Sequence, residues 1–69
     1  MLESIKDGQV VKHLKTGNLY TVIHSEVITA TNGREDEVEV IYTRTDGSHE
    51  GRLFAREISQ FKEKFELTE

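Results

Sequence analysis

Glu37-Val38-Glu39-Val40-Ile41-Tyr42-Thr43-Arg44 decides the fold class of this chain. Its strict opening alternation places Val38, Val40 and Tyr42 on one side of an extended backbone and the glutamates on the other, as in a half-buried β-strand. Downstream, Asp46-Gly47 is expected to close a hairpin, and Gly51-Arg52-Leu53-Phe54-Ala55-Arg56 to return as the next strand. Upstream, Thr31-Asn32-Gly33-Arg34-Glu35-Asp36 reads as an exposed loop, since Asn-Gly supplies the turn and three successive charges stay in water. Residues Leu19 to Thr31 are mostly β-branched or aromatic and predict a long strand, bent near His24-Ser25-Glu26. Gly17-Asn18 tolerates the positive φ of a two-residue hairpin loop, and residues 9–14, with Val10, Val11 and Leu14, make the first strand.

After the strands the period changes. Ile58, Phe61 and Phe65 recur at helical spacing, which predicts a short helix from about Glu57 to Leu67. Glu57 suits its N-terminus, and Lys62, Glu63, Lys64 and Glu66 suit its solvated face. Four to five antiparallel strands with a short C-terminal helix point to a mainly β chain, a small SH3-like, partly open barrel with the helix closing one mouth. An OB-like barrel or an open-sheet α+β arrangement is the alternative.

With 69 residues the chain holds one core, so residues 1–69 are read as a single domain. A chain of this size buries only about 60% of the surface its unfolded form exposes. Without cysteine it has neither disulfides nor thiolate metal ligands. His13, His24 and His49 lack the spacing of a zinc site, so no metal and no other cofactor is expected. Self-association remains as a support, and a small homo-oligomer is a natural way to gain stability. The first residues form neither a leader nor a membrane span, which places the chain in the cytoplasm with no membrane partner. Thirteen acidic residues against nine basic ones give a net charge of −4, which opposes general affinity for nucleic acid.

Gly8-Gln9-Val10-Val11-Lys12-His13-Leu14-Lys15-Thr16-Gly17-Asn18-Leu19-Tyr20-Thr21-Val22-Ile23 resembles the opening of a family of small bacterial and phage domains of unknown function. In that family a basic residue and a histidine precede a lysine-glycine turn, and a tyrosine-x-valine strand follows. Val40-Ile41-Tyr42 and Leu53-Phe54-Ala55-Arg56-Glu57-Ile58-Ser59-Gln60-Phe61 extend the resemblance to about two thirds of the chain. Departures are Glu57 where the family has proline, a longer hairpin after Tyr42 and one inserted residue near Thr16-Gly17. The resemblance implies an SH3-like fold and a phage or bacterial setting, and implies no reaction.

No serine has the glycine-flanked context of a nucleophile, and the carboxylates gather where solvated carboxylates sit, so the chain is expected to be no enzyme. Lys12, His13, Tyr42, Arg44, Phe54 and Arg56 are the candidate binding residues; Arg52 and Tyr20 lie in or near the same strands. Guanidinium groups beside rings suit an anionic ligand with a flat ring, such as a nucleotide. The structural reading of the same residues is Tyr42 in the core and Arg44 paired with a neighbouring glutamate. Glu35-Asp36-Glu37-Val38-Glu39 is either a solvated face or a phosphate mimic offered to a basic partner. The expected role is therefore a non-enzymatic binding module, phage-encoded, contacting a host protein or sequestering a small anionic ligand. A nucleic-acid- or ribosome-associated small barrel is the alternative.

Overall fold

The computed structural model describes residues 2–30, 33 and 37–68. Five strands and one helix follow in chain order: β1 (Val10–His13), β2 (Leu19–Ile28), β3 (Val38–Arg44), β4 (Phe54–Glu57), α1 (Ile58–Lys64) and β5 (Phe65–Leu67). All pairings are antiparallel within one sheet of order β4-β3-β2-β1-β5. Mainly β with a short helix is thus correct, but no backbone ladder joins the edge strands β4 and β5, so the sheet does not close into a barrel. Among the described residues no helix is long and apolar enough to cross a membrane.

Residues directly opposite one another on neighbouring strands share a face. His13 with Phe65, Val11 with Tyr20, Tyr20 with Arg44, Val22 with Tyr42, Tyr42 with Phe54, and Val40 with Arg56 therefore lie on one side of the sheet. That side holds the core: Val11, Val22 and Val40 are fully buried there under Phe61 and Phe65, with Tyr42 and Leu2 beside them. Leu2 is drawn in by its amide, which donates to the Lys62 carbonyl at 3.0 Å.

β2 bends as expected. Its register against β3 slips between Val22 and His24 and again between His24 and Val27, so the strand carries extra residues where His24-Ser25-Glu26 lies. Such bulges increase local twist and curl the sheet over its core. The strand ends at Ile28; Thr31 and most of the expected 31–36 loop fall outside the described residues.

Three sequence-based boundaries change. The β1–β2 loop spans residues 14–18 rather than two residues, closed by Gly17 N–H to the His13 carbonyl at 2.8 Å; Gly17 has φ 77° and Asn18 does not share its positive φ. The β3–β4 connection is longer than a tight hairpin: Gly47, His49, Glu50 and Gly51 all have positive φ around a 3₁₀ turn at Ser48–Gly51, and β4 starts only at Phe54. The helix stops at Lys64 instead of continuing to Leu67, and Phe65–Leu67 pair with β1 as β5. Phe65 satisfies helical spacing and core burial equally well, and pairing with β1 satisfies backbone groups that water would otherwise have to cover.

Glu57 marks the helix start. Its side chain accepts from the amides of Ser59 and Gln60, so a carboxylate replaces the missing intrahelical partners.

Candidate functional site

Tyr20, Tyr42, Phe54, Phe61 and Phe65 are all the aromatic residues of the chain, and their rings meet in one cluster on the core face. Phe61 stacks on Phe65 at 4.2 Å, while most other pairs meet edge to face at 5.0–5.9 Å, the geometry that ring quadrupoles favour. A histidine ends the cluster on each side. His13 meets Phe65 at 5.0 Å, and His49 meets Phe54 at 5.6 Å.

Two arginines complete it. Arg44 lies 5.6 Å from the Tyr20 ring centroid and reaches Asp46 at 2.8 Å, so it pairs with an aspartate of the following turn rather than with the expected glutamate. Its Nε is buried without a hydrogen-bond partner among the described residues. Arg56 donates from Nε to the Tyr42 hydroxyl at 3.3 Å and lies 5.8 Å from the Phe65 ring centroid. Phe65 belongs to β5 and Arg56 to β4, so side chains from the two sheet edges touch across the core although their backbones do not pair.

Five of the six expected site residues, His13, Tyr42, Arg44, Phe54 and Arg56, therefore share one face. Lys12 does not. It stands opposite Leu19 and Glu66 on the other side of the sheet, where its Nζ pairs with Glu66 at 3.0 Å. The strand period of two makes this separation unavoidable, because adjacent residues Lys12 and His13 must face opposite ways. Tyr42 is 5% exposed and is a core residue that offers its ring edge and hydroxyl rather than an open surface. Arg52 precedes β4 and is exposed.

Sequence reading missed the roles of His49 and Phe65 in this cluster. Both come from segments expected to be something else, a tight hairpin and the end of a helix, so no strand or turn pattern pointed to them.

Electrostatics divide the surroundings. The pKa of His13 is held below the usual histidine value of 6.5, first by burial and then by the positive charges of Arg56, Lys64 and Lys15. On the other side of Arg56, a groove of about 400 Å³ is lined by Glu37, Glu39, Ala55, Glu57 and Gln60 together with Arg56 itself. Glu37 and Glu39 of the expected acidic stripe are half-buried there; Glu35 and Asp36 lie outside the described residues. Glu57 and Glu39 stand directly opposite across β3 and β4. Hydrogen bonds from the hydroxyl and amide of Ser59 hold the Glu57 pKa down.

Comparison of the chain with protein-family models, with curated proteins and with solved structures found no match.

Proposed function

We propose that this chain is a non-enzymatic binding module, an SH3-like roll whose aromatic face takes up a small anionic ligand with a flat ring. Arg56 carries the reading. Its guanidinium is oriented by the Tyr42 hydroxyl and the Phe65 ring, and among the described residues no carboxylate forms an ion pair with it. A planar cation held by neutral groups keeps its charge available for an incoming anion, and half-buried Tyr20 and Phe54 offer ring surface for stacking beside it. The bent β2, the meander β1-β2-β3-β4 and the return of β5 onto β1 support the SH3-like roll.

A panel of 5′-mononucleotides titrated into labelled protein tests the proposal by NMR. Saturable shifts at Tyr20, Phe54 and Arg56 are expected, with affinity lowered about ten-fold by Phe54→Ala and unchanged by Lys12→Gln, whose side chain lies on the opposite face. Resonances of all three residues that stay unmoved at millimolar ligand would remove the small-ligand reading.

A further inference from the structure

In a chain of net charge −4, two lysines, Lys15 and Lys64, line the surface beside His13 at one end of the core face. Beside it lies a groove of about 220 Å³ lined by His13, Leu14, Lys15, Glu63 and Lys64. Three segments build its wall: the end of β1, the loop after it and the last turn of α1. Their relative position is fixed by the Leu14 amide, which donates to the Lys64 carbonyl at 2.9 Å.

The charges on this wall are not matched internally. Among the described residues neither Lys15 nor Lys64 forms an ion pair, and Glu63, the single carboxylate lining the groove, pairs with neither. Lys12 and Glu66 neutralise each other on the far face of the sheet and do not contribute. The groups that face His13 are Arg56 from β4, Lys64 and Glu63 from α1, Lys15 and Thr16 from its own loop, and the Phe65 ring from β5. Thr16 Oγ1 engages His13 Nδ1 at 3.1 Å, which orients the ring and leaves Nε2 for another partner.

We propose that this groove is an anion subsite for the dianionic phosphate of a small phosphate monoester. Lys15 and Lys64, which line the groove, neutralise it, and His13 Nε2 donates a hydrogen bond to one of its oxygens. A phosphate monoester presents three terminal oxygens, one for each of the two ammonium groups and the imidazole, whereas a carboxylate presents two. The subsite deepens the proposed binding face and rests on that reading: the phosphate sits at the His13 end of the ring cluster, with the flat group toward Tyr20 and Phe54. Binding is coupled to protonation. An added dianion offsets the positive charges that disfavour the imidazolium, so His13 takes up a proton when phosphate binds.

The test is an NMR titration of the full chain with inorganic phosphate and, separately, with adenosine 5′-monophosphate, each from pH 5.5 to 8 at matched ionic strength. Inorganic phosphate is expected to shift the His13 ring signals saturably and raise their titration midpoint. Lys64→Gln is expected to weaken this binding about five-fold, and Lys12→Gln to leave it unchanged. Unmoved His13 titration in phosphate, with Tyr20 and Phe54 responding to the nucleotide, overturns the subsite and leaves the binding face standing. A His13 response to phosphate without any ring response to the nucleotide supports the subsite and overturns the flat-ring reading. No response to either probe overturns both.

Discussion

Arg56 Nε donates to the Tyr42 hydroxyl at 3.3 Å, so the polar tip of a core ring is satisfied by a side chain that forms no ion pair among the described residues. Tyr42→Phe is expected to cost about 1 kcal/mol, the net worth of a hydrogen bond in a partly buried site. In an Arg56→Met background the same change should cost almost nothing, because the bond is already gone. Urea denaturation of the four proteins of this cycle checks it, and full additivity would show that the contact contributes no coupling.

Phe61 is fully buried, stacks on Phe65 and packs against Tyr42. Phe61→Ala is expected to cost about 3–5 kcal/mol through lost transfer energy and the cavity left behind. Small domains have only about 5–15 kcal/mol in total. The cooperative thermal transition followed by circular dichroism should therefore shift far downward or disappear, whereas Phe61→Leu should retain it.

Glu50 adopts φ 56° in the 3₁₀ turn, directly after His49 at φ 60°. A left-handed backbone costs a residue with a Cβ about 1–2 kcal/mol, and glycine avoids that cost. Glu50→Gly is expected to stabilise the chain by about 1 kcal/mol in chemical denaturation, less the added entropy of the unfolded glycine. His49→Gly should gain less, since it also removes the ring that packs on Phe54.

Acid acts on this chain in two windows. His13 has its folded pKa below 6.5, so the unfolded chain binds the proton more readily. Its contribution is present above pH 6.5 and is lost as pH falls below that value, and His13→Gln should remove this slope. Asp7, Asp46 and Glu57 are also held below their ordinary values of 3.8, 3.8 and 4.5, in each case chiefly by hydrogen bonds from a serine, Ser25, Ser48 and Ser59 respectively. Their contribution is present above the ordinary carboxylate range and lost as pH falls through it. Denaturation midpoints from pH 8 to 3 should therefore decline first near pH 6 and again below about pH 4.5.

Local pattern was enough to find β1 to β4 and the bend in β2. Alternation at Val38, Val40 and Tyr42 specifies one buried face, and β-branched density specifies β2, because both signals act between near neighbours in the chain. The side on which Lys12 and His13 fall follows from the same two-residue period, once β1 is placed against its neighbours. Pairing between distant segments decided the rest. Phe65 leaves the helix because β1 offers backbone partners that lie far from it in sequence. His49 reaches Phe54 through a loop whose left-handed residues no propensity announces. Arg56 meets Phe65 only because the curled sheet brings its two edges together, and Lys64 comes to His13 because β5 pairs with β1, while Lys15 is already its neighbour in the chain. Proximity created by folding, rather than spacing along the chain, assembles the charges and rings at which a ligand would be held.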